Sequence, residues 1–69
     1  MTDLHTFSAD LADLLRDRPD RSTPAGERAD WFDRKADLLE RVAATTPEAV
    51  ELAVTARDVA VWLRAGGPE

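Results

Sequence analysis

Apolar positions recur at three- and four-residue intervals in three stretches of the chain, a pattern that predicts amphipathic helices. The first stretch ends before Pro19, which disfavours helical geometry at the preceding residue. We predict helices over residues 3–18, 24–44 and 47–65. The apolar positions of the first helix are Leu4, Phe7, Leu11, Leu14 and Leu15. Those of the second helix include Trp31, Phe32, Leu38, Leu39 and Val42.

Threonine–proline pairs precede the second and third helices. Thr23 and Thr46 are predicted to cap these helices through their hydroxyls, because each is followed by a proline suited to the first helical position. Gly66-Gly67-Pro68 predicts the end of the third helix.

These helices predict an all-α fold in one small domain, residues 1–69. The apolar stripe of the second helix is wide enough to contact two neighbours, and the short connections favour a three-helix up-down-up antiparallel bundle. The third helix is expected to pack on the second through a row rich in small residues, namely Ala49, Leu52, Ala53, Ala56, Val59, Ala60 and Leu63.

A second apolar line lies on the other side of the third helix, formed by Val50, Val54 and Val61, with Trp62 pointing to a third side. Two interpretations are open. Either this helix is central and covered on both sides by its own chain, or the line is a protein interface, most simply that of a homodimer. Because a chain of 69 residues buries a thin core, we expect dimerisation to complete the bundle.

Charged positions mark the solvent side of the second helix, where Asp30–Arg34 and Asp37–Arg41 are predicted ion pairs. Lys35 lies among the apolar positions instead. Either its methylenes cover apolar surface with the ammonium near Trp31, or Lys35, together with Arg28, contacts an acidic group on a partner.

The first helix carries four aspartates on one side: Asp3, Asp10, Asp13 and Asp17. This acidic ridge is either a solvated face compensated in part by Arg16 and Arg21, or a surface for a basic partner.

Charge and composition narrow the function further. A net charge of −5 argues against direct nucleic-acid binding. No stretch approaches the ~20 apolar residues of a membrane span. We find no export signal in Met1–Asp13 and no cysteine, so we expect a cytoplasmic protein.

Residues typical of catalysis are sparse. His5 is the only histidine and lacks a matched set of metal ligands, while Ser8 and Ser22 have no second histidine to serve as a base. We therefore predict no enzymatic activity, no catalytic residues, no cofactor and no metal.

The run from Asp30 to Arg41, DWFDRKADLLER, resembles a segment of short, mostly uncharacterised actinobacterial proteins often found near plasmid- and phage-derived genes. The resemblance implies a small helical accessory protein and assigns no functional residues. From the residues themselves we expect a non-catalytic protein–protein interaction module with an accessory or regulatory role. The alternative is an anti-repressor or nucleic-acid charge mimic that occupies a basic protein surface.

Overall fold

A computed structural model describes the backbone of residues 2–66 and the side chains of residues 6–66. This part of the chain forms three helices and no strand: α1 (Thr2–Arg16), α2 (Ala25–Val42) and α3 (Glu48–Arg64). The all-α prediction is confirmed. The side chains of Asp3 and His5, and residues Gly67 and Pro68, lie outside the described residues.

The turn between α1 and α2 is held by Asp20. Its carboxylate accepts hydrogen bonds from the Ser22 hydroxyl at 2.7 Å and the Ser22 backbone N–H at 2.9 Å. These bonds stabilise the ionised form and lower the pKa of Asp20 below its ordinary value.

The predicted threonine caps are wrong, because no side chain caps the start of α2 or α3. The Thr23 hydroxyl instead accepts the Asp20 backbone N–H at 3.1 Å, so the turn uses the group that was assigned to the helix. In the next connection the Thr45 hydroxyl donates to the Val42 carbonyl at 3.3 Å, at the end of α2.

The end of α3 is marked by Gly66, whose φ of +107° lies in a region that favours glycine. Its backbone N–H donates to the Leu63 carbonyl at 3.2 Å. This bond satisfies one of the carbonyls that a helix end leaves free.

α2 and α3 pack through alanines. Because alanine side chains are short, the two helices approach closely and the contact strip is narrow. Phe32, Leu39 and Val59 pack along the strip, and Leu63 is the largest fully buried side chain. The buried alanines are Ala29 and Ala36 in α2 and Ala49, Ala53, Ala56 and Ala60 in α3.

Leu52 was predicted to belong to this contact, and that prediction is wrong. Its side chain is 55% exposed. At about 100° per residue it lies at the edge of the row defined by the buried alanines, and a strip this narrow leaves it uncovered.

The contact between α1 and α2 is smaller than the contact between α2 and α3. Leu14 and Leu38 are the buried leucines of this contact, and the Trp31 Nε1–H donates to the Leu14 carbonyl at 2.8 Å. That carbonyl lies in the last turn of α1, where helical partners run out, since the Arg18 N–H donates to the Leu15 carbonyl instead. Trp31 therefore both covers α1 and caps it.

The three helices form a single layer. α2 lies between α1 and α3, and the described residues show no packing of α1 on α3. The Cα extents are 42 × 23 × 12 Å, so the layer is about one helix diameter thick. Each helix therefore has sides that no other part of the described chain covers.

Candidate interaction surfaces

Ion pairs between helices collect on one side of the layer, which we call the charged face. Successive arginines and carboxylates alternate across it from α1 through α2 to α3. The pairs are Asp10–Arg41 and Asp17–Arg34 between α1 and α2, and Asp33–Arg57, Asp37–Arg57, Glu40–Arg57, Asp30–Arg64 and Asp33–Arg64 between α2 and α3.

Arg57 is the centre of the α2–α3 part of this network. It lies 2.7 Å from Asp37, 2.9 Å from Glu40 and 3.4 Å from Asp33. The hydrogen bonds that Arg57 donates to Glu40 and then to Asp37 raise the pKa of Arg57 above its already high ordinary value. The guanidinium therefore stays charged and holds three carboxylates of α2 against α3.

The arginines of α2 also differ from the sequence prediction. Arg34 and Arg41 were expected to pair within α2 with Asp30 and Asp37. They bind Asp17 and Asp10 of α1 instead, because the packed neighbours place carboxylates within closer reach. The predicted pairs within α2 are wrong.

Replacing Arg57 by Met should lower the melting temperature most at low salt. The variant keeps an apolar stem but leaves Asp37 and Glu40 close together without their cation, while Asp33 retains Arg64. Like charges at this spacing repel. Salt screens both the lost attraction and the new repulsion. The difference between wild type and variant should therefore shrink as sodium chloride is raised in a thermal melt followed by circular dichroism.

Arg16→Met is the matched control, because among the described side chains Arg16 pairs only with Asp13 of its own helix, and its side chain is 71% exposed. It should change the melting temperature little at any salt concentration. Equal effects of the two substitutions, or a salt-independent effect of Arg57→Met, would contradict the role assigned to Arg57.

The acidic ridge of α1 lies partly within the charged face. Asp10 and Asp17 bind arginines of α2, and Asp13 binds Arg16 at 2.8 Å. The compensation by Arg16 is present, whereas Arg34 and Arg41 take the place expected for Arg21. The three described aspartates of the ridge are therefore each paired with an arginine of the same chain.

The opposite side of the layer is apolar. At about 100° per residue its members lie on the far side of each helix contact from the ion-paired residues. We call this surface the apolar face: Phe7, Leu11, Leu15, Trp31, Lys35, Leu39, Leu52 and Val59. Between α1 and α2 it forms a groove, which its α1 and α2 members line together with Leu14, Arg18 and Leu38.

Lys35 lies over this groove. Its Nζ is 5.8 Å from the centre of the Trp31 ring and 5.9 Å from that of Phe32, two rings that meet edge to face. The ammonium is thus near Trp31, as the first interpretation of the sequence expects. The described side chains place no carboxylate within ion-pairing distance of it, so the second interpretation, a contact with an acidic group on a partner, stays a prediction.

Val50, Val54 and Val61 form a separate apolar line on α3, which we call the valine line. All three are exposed, Val61 most of all at 66%, and Trp62 is 53% exposed. The interpretation in which the chain itself covers this line is wrong, because α2 contacts the alanine side of α3 and the described part of α1 does not pack on α3.

The described residues contain no group of three or more His, Asp or Glu side chains placed to hold a metal ion. None of the described helices is both long and apolar enough to cross a bilayer. Comparisons with family models, curated proteins and solved structures gave no match. The resemblance of residues 30–41 to actinobacterial accessory proteins remains an expectation.

Proposed function

We propose that this chain is a non-catalytic protein-interaction module, a small accessory or regulatory protein that acts by binding another protein. The observation that carries the proposal is the exposure of the valine line in a layer about one helix thick. Exposed apolar residues that lie singly need no explanation, but a row of them along one helix is typical of an interaction site.

The proposed arrangement of the module is an up-down-up bundle. Ion pairs support it, because residue numbers run in opposite directions along paired helices: as the number rises on one helix, the number of its partner on the next helix falls. Between α1 and α2, Asp10 meets Arg41 and Asp17 meets Arg34. The pairs Asp37–Arg57 and Asp30–Arg64 follow the same rule between α2 and α3, which is the pattern of antiparallel neighbours.

A non-catalytic role is supported by the state of the carboxylates. Those on the charged face pair with arginines rather than with one another across a cleft, so they lack the setting that general acid–base chemistry requires. The same pairing removes support from the alternative, a nucleic-acid charge mimic, because Asp10, Asp13 and Asp17 do not present free negative charge.

Affinity capture from the native host tests the proposal. We expect tagged wild-type chain to retain a specific protein that the Val54→Asp/Val61→Asp double variant fails to retain, because two charges in the line leave an apolar contact unfavourable. Both valines are exposed, so the variant should keep wild-type circular dichroism.

Thr55→Asp is the matched control, an exposed residue of the same helix outside the valine line. It should retain the same protein as wild type. Recovery of identical proteins with wild type, control and double variant, or of no protein with wild type, would reject binding through the valine line.

A further inference from the structure

The apolar face is a different surface from the valine line. It contains large side chains that the described chain leaves exposed, among them Leu15 at 57% and Leu52 at 55%. Domains are normally built from at least two packed layers, because a helix must bury its apolar stripe against another element. Here one layer is present, and its apolar side has no cover within the described residues.

The size of the exposed surface indicates how much cover is missing. The chain has an accessible surface of 5065 Å² and a mass of 7.6 kDa, whereas a compact monomer of that mass exposes about 4300 Å². The difference, roughly 800 Å², equals the share that one partner contributes to an interface of standard size. The radius of gyration is likewise 12.8 Å, against about 11 Å for a compact chain of this length.

Charge segregation favours the apolar face as the buried side of such an interface. The ion pairs between helices lie on the charged face, where stacking would remove many charges from water. The groove of the apolar face is lined by only two charged residues, Arg18 and Lys35. Their long stems allow the charged groups to remain at the rim while the apolar floor is covered.

We propose that a second copy of this chain covers the apolar face, in an isologous dimer whose two-fold axis runs parallel to α2. When this axis passes above the layer between α2 and α3, it places α3 of each copy over the groove between α1 and α2 of the other. The result is two stacked layers with one shared core. This inference adds a second surface to the proposed function and names its occupant.

The positions of the side chains along the direction of α2, which we call their levels, fit this arrangement. Leu52 is adjacent to Ala53, which lies in one cluster with Leu39, and Leu39 lines the groove with Leu11. An axis parallel to α2 preserves these levels. Leu52 of one copy therefore comes close to Leu11 and Leu39 of the other, and its exposed side chain enters the groove.

Sedimentation equilibrium of the full chain, from low to high micromolar concentration, tests the dimer. We expect wild type to reach twice the monomer mass, and Leu15→Glu and Leu52→Glu to remain monomers with unchanged helical circular dichroism. The Val54→Asp/Val61→Asp variant should still dimerise. A wild-type monomer throughout, dimeric Leu15→Glu and Leu52→Glu, or a monomeric valine-line variant would overturn the proposal.

Cross-linking keeps the test decisive if a glutamate variant unfolds. The sequence has no cysteine, so single cysteines report single positions. In mixtures treated with a short bis-maleimide, Leu11→Cys chains should be cross-linked to Leu52→Cys chains. Leu11→Cys chains mixed with Val54→Cys chains should not be cross-linked to them. A cross-link from Leu11→Cys to Val54→Cys, with none to Leu52→Cys, would reject the arrangement. Capture of a host protein through the valine line is measured separately, so either proposal can fail without the other.

Discussion

Leu63→Ala should remove a large share of the protein's folding stability. Leu63 is 2% exposed and is the largest fully buried side chain, in a cluster with Ala29 and Ala60 and with Phe32 against it. A Leu→Ala change at such a site costs about 2–5 kcal/mol, whereas a domain of this length has about 3–10 kcal/mol of stability in total. Urea unfolding followed by circular dichroism measures the loss.

Val61→Ala is the control for this substitution. It removes methyl groups two residues away on the same helix, but from a side chain that is 66% exposed. Its effect should stay within about 0.5 kcal/mol. Similar unfolding midpoints for Leu63→Ala and Val61→Ala would show that the cluster around Leu63 is not the core of the α2–α3 contact.

Trp31→Phe should release α1 from the layer and leave α2 and α3 packed. The substitution removes the hydrogen bond to the Leu14 carbonyl and leaves that acceptor without its partner, at a cost of about 1–3 kcal/mol if water cannot replace the indole. The α1–α2 contact is small, so this loss is large relative to its stability. Hydrogen exchange should show faster exchange throughout α1 and unchanged protection in α3.

Trp62→Phe tests whether any tryptophan would behave in this way. Trp62 is exposed on α3, and no hydrogen bond from its indole to a described residue is present. Exchange in α1 should be the same as in wild type. If Trp31→Phe accelerated exchange equally in all three helices, α1 would be part of one cooperative unit with the others.

The apolar pattern predicted the helices because a periodicity of three to four residues requires only local information. It also predicted the packing of α3 on α2 through small residues, which the buried Ala53 and Ala60 confirm. The threonine caps failed because two uses of a hydroxyl compete within hydrogen-bond reach. The Thr23 hydroxyl accepts a hydrogen bond within the turn. The residue types alone do not indicate whether this bond or a helix cap is preferred.

The surfaces were harder to predict, because they depend on which helices meet. Asp37 can pair with Arg41 in its own helix or with Arg57 in the next one, and only the close approach of α2 and α3 favours Arg57. The apolar face was not recognised as one surface for the same reason. Its members come from three helices, and they share one side only because the arrangement is flat. The wide apolar stripe predicted for the second helix was a signal of it.

The packing between consecutive helices has a consequence for how the chain folds. Within the described residues, α1 meets only α2, and α2 meets α3, across connections of eight and five residues. Each contact joins helices that are neighbours in the sequence, so the conformational entropy lost in closing loops is small. Low contact order of this kind is associated with folding in microseconds to milliseconds. The chain can therefore pair neighbouring helices locally, without first closing a long loop.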